Sequence, residues 1–196
     1  VIGHVLLLGV VTGLLWKYYR SSPLGNWYLP RLALKLLAGI GLGLLYTHYY
    51  PGGDTWSLWS VAESLAQRAG AAPADYLSYL LGLNSEYSQG LGLEAQPRVR
   101  FFGGLLSVLH LLTGGNYWLA AAWRSLYAHA GLYRLSVRLP LFVALPQRAT
   151  LVAFLLFPSV LFWSSGVLKE SVLLGTMGLV INAFVAAYHD RAWSAL

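Results

Sequence analysis

Four places in this 196-residue sequence hold side chains able to do chemistry. Asp54 directly follows Pro51-Gly52-Gly53, where glycines let the backbone turn and bring a carboxylate to a surface. Such a group can act as general base or hold a divalent cation. It can equally be the N-cap of a helix over 55–68, a role open to Thr55 as well. Lys169 and Glu170 stand between two uncharged apolar runs, 149–168 and 171–188. Charges among apolar residues are costly and tend to be functional, and an ammonium suits an anionic head group or phosphate. The same spacing fits a pair closing a short external hairpin in water. Arg98 and Arg100 lead the next apolar segment, where a guanidinium can bind an acidic group such as phosphate or snorkel to the interface. Ser165, in the turn Ser164-Ser165-Gly166, invites a nucleophile reading. The Gly-x-Ser-Gly pattern of an intramembrane serine protease is absent, because Trp163 holds its first position. His4, His48, His110, His129 and His189 show neither an evident catalytic partner nor metal-ligand spacing.

The elements that position these residues follow from composition. Hydrophobic residues make up 57% of the chain and charged ones 10%, with a mean hydropathy of +0.58. A soluble domain carries about 25% charged residues, so this chain reads as an all-α, polytopic transmembrane bundle forming one domain over 1–196. The absence of cysteine excludes disulfides and thiolate metal sites. The net charge of +6 comes from bases scattered at helix ends, a topology signal rather than a nucleic-acid footprint. Val1 opens the chain inside an apolar run without an initiator Met, which reads as a fragment or processed form.

A spanning helix needs about 20 mostly apolar residues. The first is expected at 2–19 and the second at 31–49, after the breakers Pro23, Gly25 and Pro30. Lys17, Arg20, Arg31 and Lys35 flank their connection and place it on the cytoplasmic side. Residues 49–100 then form an external loop. A helix over 55–68 is expected to lie on the outer membrane face with Trp56 and Trp59 in the interface, and a second over 74–82. Thr113-Gly114-Gly115-Asn116 interrupts the next stretch. Either 101–123 is one kinked span, or 101–113 is a re-entrant half-helix and 117–137 the span. Arg124, Arg134, Arg138 and Arg148 argue for a cytoplasmic end. With helices at 149–163, weakened by Pro158, and 171–188, about five spans result. Asp54 and Lys169-Glu170 then share the outer side.

Two stretches carry a family resemblance: Tyr49-Tyr50-Pro51-Gly52-Gly53-Asp54-Thr55, and the Phe-Trp-Ser-Ser-Gly-x-Leu-Lys-Glu run at 162–170. In these the chain resembles bacterial polytopic glycosyltransferases of the GT-C type and related surface-polysaccharide polymerases. The resemblance implies an enzyme of the bacterial inner membrane, with a polyprenyl-phosphate-linked sugar as donor and a glycan as acceptor on the non-cytoplasmic face. It implies Asp54 as the catalytic or metal-holding acid. Lys169, with Arg98 or Arg100, would contact the donor phosphate, and Glu170 and Ser165 would lie at the same substrate site. The chain departs from that family in having a lone acid rather than two, in its extra first helix, and in having fewer than the usual eight or more spans. A different class fits the same residues: a non-catalytic integral subunit that binds lipids and other membrane subunits, with Gly39-Ile40-Gly41-Leu42-Gly43 suited to close helix packing.

Overall fold

The computed structural model describes residues 1–50, 53–91 and 97–190, with their side chains except at 97, 98, 189 and 190. All regular structure among them is helical. The chain divides into two compact units, one of residues 45–120 (with Val1) and one of 2–44 and 121–196.

The second unit begins with α1 (Ile2–Tyr19) and α2 (Tyr28–His48). Helix α2 starts ahead of Pro30, the expected breaker, because proline is tolerated in a first turn, where N–H groups have no intrahelical acceptor. The chain resumes with α6 (Tyr117–Val143), whose first residues belong to the other unit. Next come α7 (Gln147–Leu151), a π-helical turn (Val152–Leu156), α8 (Pro158–Trp163) and α9 (Lys169–Asp190). Tyr19, Tyr28, Leu32, Leu132 and Tyr133 are at the centre of its core. Helices α6 and α9 cross at glycines: a Cβ on Gly131 would fall 2.1 Å from the Gly175 carbonyl oxygen, and one on Gly178 would fall 2.6 Å from that of Gly131.

Among the described residues three helices, not five, are long and apolar enough to cross a membrane: Ile2–Tyr19, Gly25–His48 and Lys169–Tyr188. The shortfall has local causes. Helix α6 is 27 residues long but carries Arg124, Arg134 and Arg138. The expected span at 149–163 is broken by Pro158. The residue before a proline is pushed out of the helical region; Phe157 sits at φ −59°, ψ 122°, and its N–H reaches back to Val152 O at 2.7 Å, five residues away.

Residues 164–168 form a buried turn. Gly166 has φ +70°, and Gly39, near the middle of α2, lies so close that a Cβ there would be 3.2 Å from Gly166 N. The chain therefore reverses partway along α2, not in an external hairpin in water. Backbone groups exposed there must be satisfied by protein. Ser125 Oγ accepts the Gly166 N–H at 3.1 Å, and the Leu168 carbonyl accepts from Arg124 at 2.5 Å and from the Ser171 hydroxyl at 2.6 Å. The Lys35 ammonium donates to the Ser164 hydroxyl.

The first unit contains α3 (Asp54–Ala71), α4 (Pro73–Leu80) and α5 (Pro97–Leu112). Trp59, Ala62, Leu65, Ala66 and Ala69 make the buried stripe of α3, at helical spacing. Trp59 packs on His110 with ring centroids 4.9 Å apart, and Val99 packs on the core of Leu65 and Tyr79, so α3 and α5 run antiparallel. Trp59, expected in the lipid interface, is covered by this helix pairing instead. Trp59 is only 6% exposed and Trp56 stacks on Tyr117 at 4.2 Å. Helix α5 stops at Gly114 and Gly115, whose φ values of +60° and +75° suit glycine. Asn116 Oδ1 then accepts the Leu119 N–H at 3.0 Å and caps α6. Residues 101–137 are thus two helices, not one kinked span.

Candidate functional site

Asp54 occupies the first turn of α3. The N-cap is Gly53, extended at φ −68°, ψ 168°, and a Cβ there would lie 2.5 Å from the Tyr46 ring. Neither Asp54 nor Thr55 is the cap. The Thr55 side chain is buried, and its hydroxyl is 2.9 Å from the Tyr117 hydroxyl. Trp56 stacks on the same ring and Trp59 meets it edge-on at 5.6 Å. The residues after Asp54 are therefore anchored while the acid itself is exposed, with no hydrogen-bond partner among the described residues. Tyr49 and Tyr50, just before it, are 75% and 59% exposed, and Tyr46 stands 5.8 Å from Tyr50. Pro51 and Gly52 lie outside the described residues.

Arg100 is half-buried in the same unit, its Nε without a partner. It lines a pocket of about 450 Å³ with Asn84, Ser85, Phe101 and Leu105. Its carbonyl accepts from the Tyr79 hydroxyl at 2.9 Å. Burial pushes the Tyr79 phenol up, against the opposing pull of the Arg100 charge, so it stays a donor. The antiparallel pairing sets Arg100 near Leu65, roughly 16 Å along α3 from Asp54 at 1.5 Å per residue. The structure does not bring these two together. The Arg98 side chain lies outside the described residues.

In the second unit Lys169 and Glu170 form the first turn of α9. Lys169 is exposed and Glu170 half-buried, neither with a partner among the described residues. Ser165 is fully buried and donates to the Leu161 carbonyl at 2.6 Å. Its hydroxyl closes a helix end and faces no open surface.

Sequence reasoning missed a group of buried bases. Arg31 and Lys35 are each 2% exposed, Arg124 4% and His129 1%. Arg124 and Lys35 serve the buried turn described above. Arg31 has no hydrogen-bond partner for any of its three guanidinium nitrogens, and Trp27 lies over it at 5.3 Å. The His129 ring meets Tyr28 edge-on at 4.8 Å. The signal was present in the spacing of Tyr28, Arg31 and Lys35, three and four residues apart on one helix face. Ten of the thirteen lysines and arginines, but two of the seven acids, fall in this unit.

No group of three histidines or acids able to hold a metal occurs among the described residues. A divalent cation at Asp54 would have that one carboxylate from the described chain, which does not make a metal site. Comparison with known protein families, with curated proteins and with solved structures finds no match to this chain.

Proposed function

We propose that the chain is a membrane glycosyltransferase or glycan polymerase that takes a sugar from a polyprenyl-phosphate donor on the non-cytoplasmic face, with Asp54 as general base. In that reaction an acceptor hydroxyl gives its proton to the Asp54 carboxylate as its oxygen bonds to the anomeric carbon. The sugar–phosphate bond breaks, and the bonding pair leaves with the lipid phosphate. The observation that carries this reading is the state of Asp54: exposed, unpartnered among the described residues, and fixed at the head of a helix whose next residue is bound to Tyr117. The exposed rings of Tyr49 and Tyr50 offer the apolar faces on which sugar C–H groups stack. Lys169→Gln tests separately the phosphate contact that the resemblance in sequence implies for Lys169.

The experiment is photo-labelling of the purified chain in liposomes with a polyprenyl-phosphate sugar bearing a photoreactive group on the sugar. Labelling within 46–59, competed by unmodified donor, is the expected result. Labelling that the donor does not compete, or that falls wholly outside this segment, overturns the reading.

A second reading, a non-catalytic subunit docked to other membrane subunits, is favoured by α1. Only 6% of its apolar window is buried, leaving a face for lipid or a partner helix. Retention of sugar transfer in membranes after Asp54→Asn would favour it.

A further inference from the structure

The second unit contains a pocket that the proposed sugar chemistry does not use. It has a volume of about 800 Å³ and lies among the end of α1, the chain just beyond it, and the C-terminal halves of α6 and α9. Its polar wall includes Ser21, Ser22, Arg134, Arg138 and Asn182, beside the rings of Tyr18 and Tyr19. Arg134 and Ser22 are held in place. Arg134 Nε donates to the Tyr19 hydroxyl at 2.6 Å, while Ser22 Oγ donates to the Tyr19 carbonyl at 2.7 Å and lies 3.0 Å from the Tyr133 hydroxyl. The opposite wall is apolar: Val137 and Leu141 from α6, and Leu179, Ala183 and Ala186 from α9. Leu141 is 68% exposed, so this wall continues onto the outer surface of the helices.

Among the described residues no acid lines the pocket, and Lys17 and Arg20 lie on the chain beside it. Two guanidinium groups, the Ser21 hydroxyl and the Asn182 amide line the pocket and offer donors to a phosphate, which guanidinium binds in a fork. The adjoining apolar wall calls for a ligand with a hydrocarbon part. The basic residues at the ends of these helices mark the cytoplasmic side, where anionic lipids concentrate, and basic pockets between spanning helices on that side hold anionic head groups.

We propose that this pocket binds the phosphate head group of an anionic glycerophospholipid of the cytoplasmic leaflet, with Arg134 and Arg138 on the phosphate and an acyl chain along Leu141 and Leu179. The site is built wholly from the second unit and is independent of Asp54.

The test uses the full chain in detergent, titrated with phosphatidylglycerol, phosphatidylcholine or inorganic phosphate, with bound lipid read by native mass spectrometry and Tm by circular dichroism. Phosphatidylglycerol should bind and raise Tm, and the other two should not. In Arg134→Gln/Arg138→Gln, phosphatidylglycerol should bind roughly 30-fold more weakly, about fivefold for each lost charge. Lys17→Gln/Arg20→Gln, which removes nearby charge outside the pocket, should cost much less. Equal binding of phosphatidylcholine, an equal response to inorganic phosphate, or an equal loss in the Lys17/Arg20 variant would each overturn the proposal. If the Arg134/Arg138 variant unfolds, Asn182→Leu, which fills the same pocket without changing charge, should lower phosphatidylglycerol binding; unchanged binding there overturns the proposal as well.

Discussion

The crossing of α6 and α9 sets up a pair of substitutions with opposite outcomes. A Cβ on Gly131 would meet the Gly175 carbonyl oxygen at 2.1 Å, its carbon at 2.9 Å and its Cα at 3.0 Å. All three are backbone atoms, so no side chain can swing away, and the helices must part by about an ångström to restore contact distance. Overpacking of this kind costs about 1–3 kcal/mol, and the opened seam forfeits part of its dispersion contacts with Gly178 and Ala128. Gly131→Ala should therefore lose roughly 3 kcal/mol, despite alanine's helix propensity being higher by about 1 kcal/mol. Gly41, on α2, has nothing within 4 Å of where its Cβ would be. Gly41→Ala should be neutral or gain up to about 1 kcal/mol. Both can be read from thermal unfolding in one detergent, followed by far-ultraviolet circular dichroism. Equal stability of the two variants, or a Gly131→Ala protein as stable as wild type, would refute the close crossing.

Two further outcomes follow from the buried charge and from the exposed acid. Arg31 is buried with three unpartnered nitrogens, and its contact with Trp27 returns about 2 kcal/mol. Arg31→Met should keep the packing of the stem and raise unfolding stability by about 1–4 kcal/mol; a drop in Tm would show that the guanidinium has a stabilising anion. Because the chain has no cysteine, Asp54→Cys provides a single thiol. It should react with a membrane-impermeant maleimide added outside intact cells, and protection there, with labelling after lysis, would put Asp54 on the wrong face.

The long apolar runs made α1, α2 and α9 readable, since so long a run of mostly apolar residues has few other uses. The interruption at Gly114-Gly115-Asn116 was visible, but one kinked span and two helices share that signature; the left-handed glycines and the Asn116 cap decide between them. Trp59 misled because an amphipathic stripe looks the same whether lipid or another helix covers it. Here Tyr117 and His110, more than fifty residues away, cover it. Lys35 and Arg124 read as topology markers at helix ends. Their burial against Ser164 and Leu168 depends on a chain reversal halfway along α2, which no local pattern encodes. The glycines that draw α6 and α9 together lie in two distant segments, so neither forms a repeat. Asp54 was legible as a candidate from its Gly-Gly lead-in. Its freedom from capping was not, because that depends on Gly53 fitting against Tyr46 and on Thr55 bonding to Tyr117.

Whether Asp54 carries sugar transfer is tested most directly by donor turnover in Asp54→Asn, reconstituted with a polyprenyl-phosphate sugar and its glycan acceptor, with photo-labelling confirming that donor still binds. Loss of a general base lowers the rate by about 10²–10⁴-fold, and that loss with labelling retained is the predicted result. Turnover equal to wild type would contradict the account.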